Sequence, residues 1–225
     1  MVECNRSALL IGEDAINKLV NSHVMVIGLG GVGGFCVEAL ARSGVGELTL
    51  VDYDRVDLSN CNRQIIATTT SVGEYKTDLF LKRIRDINPN IKVNLYTEKY
   101  QDYQVEASLD YIVDCMDDVK SKVNLMAKAN ALNIPLLTVC GTARKSNPLK
   151  LKVTRLDKTE NDPLAKSVRT LARKNNISIK NKAIYSTESA IDMVEGYPLP
   201  SMIFVPSVAG VLAAQTCVMD IITNK

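Results

Sequence analysis

The chain has 225 residues, of which 46% are hydrophobic, so its length and composition predict one domain with one sizeable core and argue against two independent cores. The net charge of +2 hides an asymmetry, because residues 144–182 carry 12 Lys and Arg against 3 Asp and Glu, or +9, and the remainder carries −7. A basic segment on an otherwise acidic chain indicates a partner with a phosphate backbone, with a solvated surface as the alternative.

Cysteine usage argues against a disulfide-bonded protein, and hydropathy argues against a membrane protein. The six cysteines, Cys4 among them, are scattered without a CxxC pair, and no signal peptide is recognisable, so we expect reduced thiols in the cytoplasm. Residues 203–222 approach the length of a membrane span, but Gln215 and Asp220 interrupt them. This composition favours a buried C-terminal helix over a membrane helix.

The first predicted strand leads into a glycine turn. After a helical segment at residues 5–19, residues 24–27 form an apolar run that is typical of a buried parallel strand. A GxGxxG motif follows, made of Gly28, Gly30 and Gly33, with Gly31 in the same turn. Such glycines allow a tight turn, close approach of a phosphate and packing of helix on strand. The predicted ligand is a nucleotide whose phosphates lie at the N-terminus of helix 32–43; a purely structural turn is the alternative.

The second predicted strand, residues 47–51, leads into a polar loop. It ends at Asp52, about 20 residues after the turn, where a carboxylate can bind both hydroxyls of a ribose. The following loop and its flank contain Asp54, Asn60, Arg63, Gln64 and Lys76. Such a density of polar groups favours phosphate chemistry over hydride transfer, because two cations can stabilise a departing pyrophosphate.

The middle of the chain continues the alternation of helix and strand. Helices are predicted over residues 76–88 and 119–132, and strands over residues 91–95, 110–115 and 135–140. The pattern predicts an α/β fold, Rossmann-like and doubly wound, with a mostly parallel sheet. Asp117 and Asp118 follow one of these strands, at the edge where such sheets bind ligands; capping of the next helix is the structural alternative.

The last third of the chain is basic. Residues 149–156 alternate apolar and basic side chains, which predicts a strand with one cationic face, and Asp162 and Pro163 open a helix with an apolar stripe. The candidate contacts to a nucleic-acid backbone are Arg144, Lys145, Lys166, Arg169 and Arg173. A strand at residues 183–186 and a helix at residues 207–222 follow. We expect one domain over residues 1–225, with a nucleotide-binding core (1–142) and a basic, substrate-binding extension (143–225).

The motifs carry a family resemblance. GLGGVG, LVDYDRVDLSNCNRQ, VGEYKTD and VDCMDD resemble the adenylating enzymes related to MoeB, ThiF and the ubiquitin-activating enzymes. Within this superfamily, RSALLIGED, DINPNIKV, DKTENDPLAKSVRTLARK, YSTE and FVPSVAGVLAA resemble the TcdA family of tRNA threonylcarbamoyladenosine dehydratases. The implied reaction is an ATP-dependent cyclisation of N6-threonylcarbamoyladenosine in tRNA, a net dehydration that proceeds through carboxylate adenylation and releases pyrophosphate and AMP.

The same resemblance implies roles for individual residues. It places Mg²⁺ at Asp117, adenine or ribose near Asp118, and the phosphates against Asn60, Arg63 and Lys76. It also implies a homodimer in which Arg6 reaches the phosphates, often from the other subunit; a solvent-facing Arg6 is the alternative. The basic extension would then bind tRNA, and the sequence leaves open whether a sulfur-relay protein is a further partner.

Three rival functions remain at this stage. The chain would instead activate the diglycine terminus of a ubiquitin-like sulfur carrier, act as an NAD(P) oxidoreductase, or serve as a non-catalytic scaffold. Sulfur-carrier activators generally carry two CxxC pairs for zinc, which this sequence lacks. The segment ARKSNP departs from the dehydratase pattern, so the acceptor pocket is the least defined part. Cys140 has no histidine to activate it as a nucleophile.

Overall fold

The computed structural model describes residues 5–100, 103–193 and 195–223 as one seven-stranded sheet with helices on both faces; Cys4 lies outside these ranges. The strands are β1 (His23–Ile27), β2 (Glu47–Val51), β3 (Lys92–Tyr96), β4 (Tyr111–Asp114), β5 (Leu136–Val139), β6 (Leu151–Arg155) and β7 (Lys182–Ser186). The helices are α1 (Asn5–Ile11), α2 (Glu13–Val20), α3 (Gly33–Ser43), α4 (Lys76–Ile87), α5 (Val119–Leu132), α6 (Pro163–Lys174) and α7 (Phe204–Thr223).

The sheet has the strand order β3-β2-β1-β4-β5-β7-β6. All pairings are parallel except that between β6 and β7. The order reverses between β1 and β4, and doubly wound sheets bind ligands at the carboxyl ends of the strands beside such a reversal. The predicted Rossmann-like, mostly parallel sheet is therefore confirmed.

Each face of the sheet has its own core. Along β1, Val24 and Val26 pack with apolar residues of α3, α4 and α7, whereas Met25 and Ile27 pack with those of α5 and α6. Successive side chains of a strand point to opposite faces, so a continuous apolar run serves both cores. The two layers of helices thereby fix the carboxyl ends of the central strands.

Several helix ends lie where the sequence predicts them. α3 stops at Gly44, whose φ of 90° lies in the left-handed region that glycine tolerates. The Asp162 Oδ1 atom accepts a hydrogen bond from Ala165 N at 2.9 Å and caps α6, with Pro163 in the first helical position. The first of these residues ends α3, and the other two fix the start of α6.

The edge strand β6 differs from its prediction. It begins at Leu151, after a 3-10 turn over Pro148–Lys150, and Lys152 and Val153 are both exposed although they point to opposite faces. The expectation of one apolar and one wet, cationic face holds only in part, because Leu151 packs against the core whereas Val153 on the same face is 40% exposed.

Helix α7 is buried on one face only. By length and composition it could cross a membrane, but core helices pass the same test, and 44% of its most apolar window is buried. Ala209, Ala213 and Cys217 lie in the core, while Phe204, Val208 and Val211 are exposed. The expected buried helix therefore leaves an apolar face uncovered in the single chain.

Candidate active site

A crevice of about 1000 Å³ opens at the carboxyl ends of β1, β2, β4 and β5. It lies beside the reversal of strand order, as expected for a ligand site in this fold. The predicted nucleotide-binding residues that line it are Gly28, Gly30, Gly31, Asp52, Asp54, Asn60, Arg63, Gln64, Lys76, Asp117 and Asp118. Residues from four separate segments of the sequence therefore converge on one cavity.

The glycine turn forms the wall of the crevice next to β1. Gly28 has a φ of +84°, and a Cβ atom there would lie 2.9 Å from the Cys115 carbonyl oxygen. A Cβ atom at Gly33 would lie 1.8 Å from the Gly28 carbonyl oxygen, so this position admits no side chain. At Gly30 the nearest atom would be Gln64 Nε2, at 3.9 Å. The fold thus leaves open space at Gly30. In GxGxxG motifs the second glycine is the one that lets a phosphate approach the backbone.

Asp52 follows β2 and is largely buried at the crevice. Its Oδ2 atom accepts a hydrogen bond from Leu29 N at 2.5 Å, and its Oδ1 atom accepts one from Asp54 N at 2.8 Å. Burial raises the pKa of Asp52, and the charge of Lys76 opposes that rise. Each carboxylate oxygen has a second lone pair, so the group can still accept hydrogen bonds from a diol.

Lys76 begins α4 and is buried apart from a small fraction of its surface. Its Nζ atom lies 2.7 Å from the Asp54 Oδ2 atom, and the Asp54 side chain is about half exposed. The ion pair holds the ammonium group at the crevice wall. An entering phosphate would meet a positioned cation there, as the sequence predicts.

Arg63 and Gln64 lie side by side on the polar loop. Arg63 uses Nη1 to donate hydrogen bonds to Ser59 O at 2.8 Å and Asn62 Oδ1 at 2.9 Å, and its guanidinium carries five donors in all. Gln64 is buried, and among the described residues no group donates a hydrogen bond to its Oε1 atom. Buried oxygens without a donor are rare in folded proteins, and the side chain of this glutamine belongs to the wall of the crevice.

Asn60 belongs to the 3-10 turn Leu58–Asn60 that presents Arg63. The turn is closed by a reciprocal cap: Ser59 N donates to Asp57 Oδ1 at 2.8 Å, and Asp57 N donates to Asn60 Oδ1 at 3.2 Å. This cap uses the Asn60 oxygen for the fold, so its amide Nδ2 is the group that can donate to a phosphate.

Two exposed carboxylates follow β4. Asp118 Oδ2 accepts a hydrogen bond from Ser121 N at 2.7 Å, which confirms the cap of α5 and lowers the pKa of Asp118. Asp117 is exposed and lines the crevice. Mg²⁺ in nucleotide sites is commonly held by one or two carboxylates together with phosphate oxygens, so an exposed carboxylate in this position fits the ion.

The five predicted contacts to a nucleic-acid backbone are not all available at the surface. Lys166 and Arg173 are exposed on α6, and the half-buried Arg169 donates a hydrogen bond to Thr159 Oγ1. Arg144, which has a φ of 63°, lines the crevice. Lys145 is buried, because its Nζ atom lies 2.8 Å from both Asp162 Oδ2 and Gly141 O. The structure thus corrects the expectation for Lys145, whose ammonium fixes a loop instead of facing solvent.

Arg6 lies away from the crevice. It is exposed on α1, and it is not among the residues that line the cavity of its own chain. The structure therefore does not join Arg6 to the nucleotide residues within one subunit.

A nucleophilic role for Cys140 is disfavoured by its surroundings. The five described cysteines are free, and no cluster of three potential metal ligands occurs among the described residues. Cys140 lines the crevice, but burial raises the pKa of its thiol to about 12. A thiol held in this neutral form is a poor nucleophile.

Sequence reasoning missed part of the crevice. Tyr53 and Lys99 form a wall near Asp52, with the Lys99 Nζ atom 5.7 Å from the centroid of the Tyr53 ring. Behind the residues that line the crevice, at the ends of β4 and β5, Lys122 forms a buried ion pair with Asp114. The one signal for Lys122 is a lysine among the apolar positions of α5, next to Val123 and Met126.

Known proteins resemble this chain along most of its length. The model of the ThiF family matches residues 4–220. A tRNA threonylcarbamoyladenosine dehydratase of Bacillus subtilis is 40% identical and aligns with 98% of this chain and 94% of its own length. The Haemophilus influenzae protein of the same name is 38% identical over 81% of this chain and 75% of its own length.

A solved structure agrees with both relatives. The crystal structure of the Escherichia coli tRNA N6-threonylcarbamoyladenosine dehydratase TcdA in complex with ATP superposes with a TM-score of 0.87 at 31% identity, covering 96% of this chain and 92% of that chain. The two relatives and the solved structure described above are tRNA threonylcarbamoyladenosine dehydratases, and the chain belongs to the ThiF family.

Proposed function

We propose that this chain is an ATP-dependent tRNA threonylcarbamoyladenosine dehydratase. Its substrate is N6-threonylcarbamoyladenosine in tRNA, and its product is the cyclised, dehydrated nucleoside. The observation that carries the proposal is the convergence of the glycine turn, Asp52, Arg63, Lys76 and Asp117 on one crevice at the strand reversal. Relatives that share this full-length architecture bear the corresponding name.

ATP lies with its phosphates against the glycine turn and the N-terminus of α3. The open space at Gly30 supports this position, because nothing in the fold itself fills it. The ribose hydroxyls donate to Asp52, and Asp118 lies on the sugar or adenine side. Gln64 lies at the crevice wall, with its Nε2 atom nearest to the open space at Gly30. Mg²⁺ held by Asp117 and the phosphates would neutralise negative charge during the reaction.

The reaction needs no protein nucleophile. A carboxylate oxygen of the threonyl group attacks the α-phosphorus of ATP, the bond from that phosphorus to the bridging oxygen breaks, and pyrophosphate leaves. The ureido group of the same modification then attacks the activated carbonyl carbon, the bond from that carbon to the AMP oxygen breaks, AMP departs with the former carboxylate oxygen, and the ureido N–H proton is released. Arg63, Lys76 and the Asn60 amide stabilise the charge that develops on the phosphates, so catalysis depends on position and electrostatics.

The tRNA backbone contacts the basic extension. Arg144 stands at the crevice, while Lys166, Arg169 and Arg173 lie along α6, whose N-terminal residues Pro163 and Leu164 line the same crevice. The N-terminal end of α6 therefore borders the crevice, and Lys166 and Arg173 are exposed further along the same helix. Contacts of this kind orient the substrate without reading its sequence. A tRNA substrate also assigns the protein to the cytoplasm.

The active form is a homodimer. The exposed apolar face of α7 and the leucines Leu9 and Leu10 of α1, 88% and 84% exposed, support this assembly. Apolar patches of this kind commonly mark a protein interface. A second copy that covers them brings α1, and with it Arg6, to a neighbouring subunit, where the arginine completes the phosphate site.

Nucleoside mass spectrometry tests the function. We expect purified protein, ATP and Mg²⁺ to convert threonylcarbamoyladenosine in tRNA to a product that has lost one water, and to release AMP. Reactions without ATP, or with an analogue whose α–β bridge cannot be cleaved, should leave the nucleoside unchanged.

Two results would contradict the proposal and identify a different function. Pyrophosphate exchange that depends on a small diglycine-tailed protein, but not on modified tRNA, would identify a sulfur-carrier activator. Tight binding of a nicotinamide dinucleotide with no affinity for ATP would identify a redox enzyme.

A further inference from the structure

A fully buried lysine joins the ends of two central strands beneath the crevice. The Nζ atom of Lys122 lies 3.0 Å from Asp114 Oδ2 and donates a hydrogen bond to Val139 O at 2.8 Å. Asp114 is the last residue of β4, and Val139 is the last residue of β5. One ammonium group thus fixes both strand ends at the point where they enter the site.

The same pair anchors the segment that carries Asp117 and Asp118. Asp114 Oδ1 accepts a hydrogen bond from Met116 N at 3.1 Å, which fixes the start of the segment. At its other end, the Asp118 carbonyl accepts a hydrogen bond from Lys122 N at 3.0 Å in the first turn of α5. Lys122 therefore contacts the segment through its backbone and, by way of Asp114, through its side chain.

Stability alone does not account for this arrangement. Desolvation makes a buried ion pair expensive, and replacing such a pair by apolar side chains of similar volume is often neutral or stabilising. Both side chains here are 0% exposed. Apolar residues at both positions 114 and 122 would avoid this desolvation, so the retained charged pair points to its contacts with the neighbouring segment 116–118.

We propose that Lys122 and Asp114 are positioning residues that hold residues 116–118 in the geometry that ATP requires before ATP binds. The inference rests on the proposed ATP site and assigns it two residues that do not themselves touch the nucleotide. Without the pair, binding must order the segment. The affinity for ATP should then fall about tenfold, while turnover at saturating ATP falls much less.

Two variants separate positioning from stability. Lys122→Met leaves the Asp114 charge buried and unpaired, so it should lower both stability and ATP affinity. Adding Asp114→Asn removes that charge, so the double variant should regain stability against urea yet still bind ATP about tenfold more weakly by calorimetry. Lys82→Met is the control, because Lys82 is exposed and pairs with Glu74 at the surface. Full recovery of ATP affinity in the double variant would overturn the proposal.

Hydrogen exchange of the wild-type protein tests the same point if the variants fail to fold. The Met116 amide, bonded to Asp114, should be protected without ligand, and ATP should add little protection. Free exchange of this amide until ATP is added would also overturn the proposal. Both experiments use ATP alone, so a wild-type protein that fails to modify tRNA would contradict the proposed function and leave this inference standing.

Discussion

A side chain at Gly33 would place its Cβ atom 1.8 Å from the carbonyl oxygen of Gly28, whereas the same atom at Gly30 would meet nothing closer than 3.9 Å. Two glycines of one motif are therefore required for different reasons. Packing of α3 on the first strand requires Gly33. The open space at Gly30 is explained by the ligand that the crevice accepts.

This contrast predicts different outcomes for two alanine variants. Gly33→Ala should lower the free energy of unfolding, because the overlap is with backbone atoms that cannot move aside. Gly30→Ala should leave the urea unfolding curve near that of the wild type but weaken ATP binding by tenfold or more, since the methyl group occupies the path of a phosphate. Calorimetric titration of ATP into both variants checks the difference. Normal affinity in Gly30→Ala would mean that the phosphates lie elsewhere.

Arg63 can be tested as a stabiliser of charge in the transition state. Arg63→Ala should preserve the fold, because its two hydrogen bonds lie within an exposed loop. Adenylation should slow by ~10² or more, by analogy with the loss of an oxyanion donor. Single-turnover release of pyrophosphate gives the rate. Arg42→Ala, which removes an exposed arginine paired with Glu38 on α3, is the matched control; equal rates in the two variants would remove Arg63 from the mechanism.

The cap of α5 predicts a specific pH dependence of stability. Hydrogen bonds from Ser121 lower the pKa of Asp118, so the charged cap stabilises the fold above the unfolded pKa of about 3.9 and loses its effect as pH falls through the lower folded value. Asp118→Ala should cost about 1 kcal/mol at pH 7. Urea unfolding at decreasing pH should show the gap between variant and wild type closing below about pH 4. A gap that stays constant would assign the cap to geometry and not to charge.

The order and type of the elements were predictable from local chemistry. Each central strand is an apolar run closed by glycine, aspartate or cysteine, and helices α3, α5 and α6 have a stop or cap in Gly44, Asp118 and Asp162. The glycine spacing and Asp52 then located the crevice. These signals lie within a few residues of the feature that they specify, which is why the sequence alone could indicate them.

Contacts between distant segments were not predictable. From the sequence, Lys145 is expected to be a surface cation, but in the structure its Nζ atom lies 2.8 Å from Asp162 Oδ2. Little in the sequence distinguishes Lys122 from an exposed lysine, but in the structure it is buried between β4, β5 and α5. The one-sided burial of α7 likewise depends on where α3 packs. Spacing along the chain does not determine such pairings, because they follow from the positions of whole elements in the sheet.

The basic face of α6 predicts the salt dependence of tRNA binding. Lys166→Ala combined with Arg173→Ala should weaken binding and reduce the slope of log K against log salt by about 2, since each phosphate contact contributes nearly one unit. Filter binding across a series of salt concentrations gives the slope. Lys82→Ala combined with Arg85→Ala removes two exposed charges from α4 and should leave it unchanged. Equal slopes in the two double variants would place the tRNA elsewhere.

The proposed dimer predicts complementation between two inactive variants. If Arg6 acts on the neighbouring subunit, a heterodimer of Arg6→Ala and Arg63→Ala has one site with both defects and one site with neither. Random exchange of subunits should therefore restore about a quarter of the wild-type activity, because half of the dimers are mixed and each has one intact site of two. AMP release after unfolding and refolding the variants together measures the recovery. Refolding each variant alone is the control, and a mixture no more active than the two separate variants would restrict Arg6 to its own subunit or to no role.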